Sequence, residues 1–258
     1  MVGACHGIRA KTLHIHWMTP TVLSAPSKAL WAAEFPRALW ALASLVPAQA
    51  NLNAAPRGDG RPVMVLPGLF NTDRSNFIMR RFLGRLGYHA TGWGLGRNLG
   101  NRAIGPDGER LFDAIDAMRR DTGEPVTLIG ISLGGIMARF AAHRHPEAVR
   151  EVITVASPYA GDPHATNVWR AFEMLTGEKV DHEPVIARRL EIAQPLPVAA
   201  TAIWSRSDGL VNGLICRCPD EPGCRAIEVE SSHVGVQWRP QVLRIIADVL
   251  GKSVGGTR

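Results

Sequence analysis

The residues best suited to chemistry in this chain are a serine framed by glycines, Gly130-Ile131-Ser132-Leu133-Gly134-Gly135. The motif follows the apolar run VTLI and precedes the Ala-rich run IMARFAAHR, so Ser132 falls on a turn between a strand and a helix. Such a turn strains the backbone of the nucleophile, and glycines two positions to either side let it close without Cβ clashes. A serine hydroxyl is a weak nucleophile unless a base takes its proton and an acid orients that base. His233, in ESSHVG, and Asp208, in WSRSDG, each follow a predicted strand. All three residues are therefore expected on one edge of a sheet, at the carboxyl ends of its strands, where open α/β sheets place their sites.

The competing residues fail on position. His143 and His145 lie at the far end of the helix after Ser132, about 15–20 Å away at the helical rise. His164 and His182 lie in an irregular insert, as binding or surface candidates. Asp162 rivals Asp208 as the acid, but the Asp208-Gly209 turn directly follows its strand. Attack on an acyl carbon also needs donors for the developing oxyanion. The N–H of Leu133 is one candidate, and the N–H of Leu69, in the loop LPGLF after the first predicted strand, is the other.

These loops need a scaffold, and the apolar pattern supplies one. Strands are expected over residues 62–66, 88–93, 126–131, 152–156, 198–204 and 226–229. Helices are expected over 76–86, 107–120, 133–145 and 241–250. Near-continuous apolar strands alternating with helices indicate a mostly parallel sheet covered on both faces, an α/β fold. Residues 61–258 are read as one catalytic domain and residues 1–60 as an N-terminal extension joined by a linker at 51–60. Residues 157–197 are read as a small helical insertion. Its apolar residues Val168, Trp169 and Phe172 make either a mobile cap over a substrate pocket or a filler of the core. Trp169 and Phe172 are the substrate-binding candidates there. Phe70, Trp93 and Trp238 are candidates elsewhere, with a place in the core as the rival reading.

The extension is helical in pattern over residues 25–46. Trp31, Phe35, Leu39, Leu42 and Val46 recur at three- and four-residue spacing, opposite Glu34, Arg37 and Ser44. The apolar face is expected to pack on the domain, and Pro36 to start a second helix. A rival reading makes the apolar stretch ending at Ala48-Gln49-Ala50 a cleaved export signal, against the favoured cytoplasmic location. A third makes it a lid or a helix lying on a membrane surface. Residues 1–20 have no clear period, and Met18 is an alternative start.

Composition narrows the functions. The chain has 258 residues, 46% hydrophobic and 20% charged, which is the profile of an ordinary globular protein. No apolar run approaches the ~20 residues that span a bilayer. The formal charge is +6, but the 29 basic residues include only four Lys and are scattered, with no basic stripe for nucleic acid. Cys216, Cys218 and Cys224 lack a fourth ligand for zinc within their loop, so no metal and no cofactor are expected. GLGRNLG at 94–100 is one residue too long for a dinucleotide fingerprint and is read as a loop near the site.

The segments VMVLPGLF, LIGISLGG, VITVASP, the Asp208 turn and SHVGV resemble the α/β-hydrolase superfamily of serine esterases and lipases over about residues 61–250. PRGDGRPVMVLPGLFNTD with GWGLGRNLG looks like a bacterial group within it. The resemblance implies an eight-stranded scaffold with its first strands reduced or missing, a triad of Ser132, Asp208 and His233, and an oxyanion hole from Leu69 and Leu133. Many members have His-Gly where this chain has Pro67-Gly68. The expected activity is hydrolysis of a small-molecule or lipid carboxylic ester through an acyl-enzyme, with membrane contact at most peripheral. Acyl transfer, thioester cleavage, or a non-catalytic binding role on the same fold are the alternatives.

Overall fold

The computed structural model describes residues 23–217 and 221–253. Met18, Cys5 and Cys218 lie outside the described residues. Three short helices open the described chain: α1 (Lys28–Ala32), α2 (Glu34–Ala43) and α3 (Gln49–Asn53). Strands and helices then alternate: β1 (Pro62–Leu66), α4 (Phe77–Leu86), β2 (His89–Gly92), α5 (Asn101–Ile104), α6 (Glu109–Thr122), β3 (Val126–Ile131), α7 (Leu133–Arg144) and β4 (Val149–Val155). The remainder runs through α8 (Trp169–Thr176), α9 (Glu183–Ile192), β5 (Ala199–Trp204), β6 (Cys224–Glu228) and α10 (Pro240–Ser253).

All six strands pair in parallel in one sheet of order β2-β1-β3-β4-β5-β6. Every predicted strand is present to within a few residues. Because strand side chains alternate between faces, Val63 and Val65 of β1 join Ile129, Ile153 and Ile203 under α4 and α10. Met64 and Leu66 join Leu128 and Val152 under α6 and α7 on the other face. Strands apolar at every position are thus explained by helices on both sides. No helix among the described residues is long and apolar enough to cross a membrane.

Two features of the N-terminal segment differ from expectation. The start of the 51–60 linker is helical, because Leu52 of α3 is buried in the core that α10 completes. More consequentially, α2 packs by the opposite face from the one its hydrophobic period indicates. Glu34, Ala38 and Ala41 are buried, whereas Trp31, Phe35, Leu39, Leu42 and Val46 are exposed. The small Ala side chains allow close approach, and the buried Glu34 carboxylate is compensated by backbone donors described below. The bond pattern of the surface it meets overrides the apolar period. α2 starts at Glu34, so Pro36 lies in its first turn, where its missing N–H costs no helical bond.

Candidate active site

Ser132 lies between β3 and α7 with φ 52° and ψ −120°, a conformation that costs a non-glycine residue roughly 1–3 kcal/mol. The flanking glycines make that turn fit. A Cβ on Gly130 would stand 2.3 Å from the Cα of Gly135, and one on Gly134 would stand 2.4 Å from the carbonyl oxygen of Leu66. The turn is held to the neighbouring strand by the Ser132 N–H, which donates to the Val155 carbonyl at 2.8 Å.

The structure brings the three sequence-selected residues together. His233 Nε2 is 3.0 Å from Ser132 Oγ, and His233 Nδ1 is 2.7 Å from Asp208 Oδ2. Asp208 is buried, and its other oxygen accepts the N–H groups of Leu210 and Val211 at 2.9 and 2.8 Å. The carboxylate is thereby aimed before His233 meets it. Burial pulls the His233 pKa down, but the charge and hydrogen bond of Asp208, followed by the charge of Glu34, outweigh it and leave the pKa raised. That sign is what a base needs if it is to hold the proton taken from Ser132.

The rejected candidates lie elsewhere. Asp162 caps the turn at Pro163–Ala165 by accepting the His164 N–H at 2.9 Å, and it also meets His164 Nδ1 at 2.8 Å. Burial raises its pKa, but the hydrogen bonds from His164 win and leave it lowered. His145, at the end of α7, pairs with Asp116 and Glu147. His143 has its pKa lowered by burial and by the charge of Arg139.

Leu69, Ser132 and Leu133 line an apolar cavity. Leu133 is the first residue of α7, so its N–H has no partner within the helix. The Leu69 loop runs close to the serine: a Cβ on Gly68 would lie 3.4 Å from Ser132 Cβ. Asn98, which sequence reasoning did not single out, holds this loop. Its Nδ2 donates to the Pro67 carbonyl at 2.7 Å, its carbonyl accepts the Phe70 N–H, and its N–H donates to Asn71 O. GLGRNLG is therefore a loop beside the site whose asparagine braces the Leu69 turn. The only sequence signal for this was a polar residue among glycines.

The insertion contributes to the cavity lining. Trp169 and Phe172 of α8 line it, together with Val180, Ile192 from α9, and Ile136 and Phe140 from α7. Three of the substrate-binding candidates lie outside the cavity lining. Trp93 is buried in the core beside Met64 and Leu111, with its indole N–H donating to Gly96 O. Phe70 is half exposed, outside the cavity lining, with the Arg97 guanidinium 4.1 Å from its ring centre. Its φ of 64° turns it outward from the loop that carries Leu69. Trp238 likewise lies outside the lining and donates to Ser75 O at 3.0 Å.

A buried arginine anchors the end of the insertion. Arg139 of α7 pairs with Glu221 at 2.9 Å and donates to the carbonyls of Ile192 and Gln194 at 2.8 and 2.6 Å. Its guanidinium also lies 3.9 Å from the centre of the Tyr159 ring. Cys216 and Cys224 are free thiols; burial and then the Asp208 charge push the Cys216 pKa up, and burial first takes Cys224 to about 11. Among the described residues no three His, Cys, Asp or Glu side chains gather as a metal-binding set.

The comparisons with known proteins agree with this architecture. The family model for the alpha/beta hydrolase fold matches residues 109–175, which run from α6 through the Ser132 turn to α8. No curated protein sequence matches the chain significantly. Among solved structures, the chain is similar to the metagenome-derived lipolytic enzymes LipS and LipT, at 18% identity and a TM-score of 0.55, covering 77% of this chain and 96% of that one. It is similar to a monoacylglycerol lipase of Paleococcus ferrophilus at 14% identity and 0.56, covering 77% and 96%. A putative aryl esterase of Burkholderia cenocepacia matches at 16% identity and 0.51, covering 77% and 93%. At these identities the likeness is one of fold. The chain is an α/β-hydrolase-fold protein.

Proposed function

We propose that the protein is a serine carboxylester hydrolase whose triad is Ser132, His233 and Asp208. The observation that carries this reading is the relay of 3.0 and 2.7 Å from Ser132 Oγ through the imidazole to Asp208, with Ser132 lining an apolar cavity. Ser132 Oγ attacks the ester carbonyl carbon while His233 Nε2 takes its proton. Asp208 holds Nδ1–H and stabilises the imidazolium. The N–H groups of Leu69 and Leu133 receive the oxyanion. Collapse of the tetrahedral intermediate breaks the bond to the alcohol oxygen, which leaves with the proton from Nε2. A water that gives its proton to His233 then attacks the acyl-enzyme, and the acid departs as Ser132 recovers its proton.

The cavity lining favours an apolar acyl group. Glu178, Arg188 and Arg189 are the charged residues beside it, so the carbon chain is held by Ile136, Phe140, Trp169 and Phe172. The fold likeness to lipolytic enzymes supports an ester as substrate. A p-nitrophenyl ester assayed in rapid mixing is expected to give a burst of one nitrophenol per enzyme. Ser132→Ala is expected to lose about 10³-fold or more in kcat and to resist a fluorophosphonate probe. Full activity in that variant would overturn the reading.

A further inference from the structure

We infer that Glu34, in the N-terminal helix α2, is a positioning residue of the triad, binding the Asp208 loop and the His233 loop into one unit from outside the sheet. The inference rests on the proposed triad. Glu34 is buried at 4% exposure. Its Oε1 accepts the N–H of Gly209 at 2.7 Å and the N–H of His233 itself at 3.0 Å; its Oε2 accepts the N–H of Val234 at 2.7 Å. One carboxylate thus joins the residue after the acid to the base and the residue after it. The two loops follow different strands, β5 and β6; the Ser205 hydroxyl ties them at Ser231, next to the sheet, and Glu34 adds a second tie beyond it, at Gly209, His233 and Val234.

The surroundings are built for this contact. A Cβ on Gly209 would lie 2.4 Å from the carbonyl oxygen of Leu30, and one on Gly235 would lie 3.2 Å from the Cβ of Ala38. Both loops therefore carry glycine where the N-terminal helices press on them. Arg37, one turn along α2, donates to the carbonyl and hydroxyl oxygens of Ser207, and the Ser207 hydroxyl lies 3.1 Å from that of Ser205. Asn167 donates to both Pro26 O and Gly209 O.

Glu34 also has an electrostatic consequence. The charged groups acting on the His233 ring are Asp208 from the loop after β5 and Glu34 from α2; Ser132 Oγ faces it from the β3–α7 turn. Arg37 is engaged by Ser207, and Cys216, which feels Asp208, is a buried thiol held neutral. A negative charge bonded to the His233 N–H favours the imidazolium. Removing that charge lowers the pH at which His233 becomes a free base.

The test is Glu34→Gln beside Glu34→Asp, with Ser132→Ala as the reference for the triad. Glu34→Gln keeps the size but turns an amide NH₂ toward one of three donors. The expected result is a 10- to 100-fold fall in kcat on a p-nitrophenyl ester. The acidic limb of kcat/KM and the NMR titration of the His233 ring should both move to lower pH. Glu34→Asp keeps the charge, so its limb and titration should stay near those of the parent although its kcat falls. Circular dichroism and thermal unfolding establish that the variants are folded. Parental kcat in Glu34→Gln overturns the inference, as does a fall in kcat that follows lost stability with the His233 titration unmoved. Full activity in Ser132→Ala would instead overturn the reading of the triad, while the NMR titration still reports on Glu34.

Discussion

The N-terminal helices reach the loops of the acid and the base through a carboxylate and a guanidinium, whereas the 157–197 insertion, apart from the bond of Asn167 to Gly209 O, meets the cavity through apolar side chains. Glu34 and Arg37 bind backbone and hydroxyl groups of the loops that carry Asp208 and His233. Trp169, Phe172 and Val180 line the cavity with apolar side chains. Directional bonds hold atoms in one place, which suits groups that must stay aligned during proton transfer. Apolar contact is non-directional and scales with area, which suits a wall that meets substrates of different length. The orientation of α2 sharpens the contrast, because its large apolar residues face outward while Glu34 is buried.

The contrast can be broken at several points. The largest effect on stability is expected at Arg139, a buried, directional anchor of the insertion. Arg139→Met leaves Glu221 buried without its partner, and breaking such a pair costs about 3–5 kcal/mol. Urea denaturation should read that loss, and Arg139→Met with Glu221→Leu should recover most of it. If the double variant is no better than the single one, the pair is not what anchors the insertion.

A middle-sized effect is expected at Phe172. Phe172→Ala removes apolar wall, so KM for a long-chain ester should rise by roughly tenfold, the worth of one or two methylenes. The kcat for an acetyl ester should hold. An equal loss on both esters would mean that the insertion acts on the chemistry as the N-terminal helices do. Glu34→Gln should show the converse pattern, a loss in kcat independent of acyl length.

The smallest effect is expected on the outer face of α2. Leu39 is 54% exposed, so Leu39→Gln should change stability by no more than about 0.5 kcal/mol and leave turnover of a soluble ester unchanged. A loss comparable to that of Glu34→Gln would show that the helix is sensitive as a whole rather than through one carboxylate.

The sheet and the site residues on it were largely legible from the chain. A strand apolar at every position can only be buried on two faces, and glycines two positions either side of a serine leave few turns to choose from. Ser132, Asp208 and His233 could be selected because each follows an apolar run that must be a strand, and parallel strands end on one edge. Leu69 and Leu133 were located by the same logic, and both face the cavity. What escaped that logic was everything whose partner is distant in sequence. Glu34 looked like the solvent side of an amphipathic helix, yet it bonds residues some 175 to 200 positions away. Arg139 looked like one of many scattered arginines, yet it is buried against Glu221. Trp93 and Phe70 were aromatic residues near the site, and only their neighbours assigned one to the core and the other to the surface.

The division has a physical origin. Periodicity, turn geometry and chain order act over a few residues, so the local pattern alone specified the parallel α/β sheet, the strained serine turn and the edge where acid and base must lie. A buried charge is stable only where donors converge on it, and the donors to Glu34 belong to loops brought together by the assembled sheet. Which face of α2 turns inward was therefore decided by the tertiary structure.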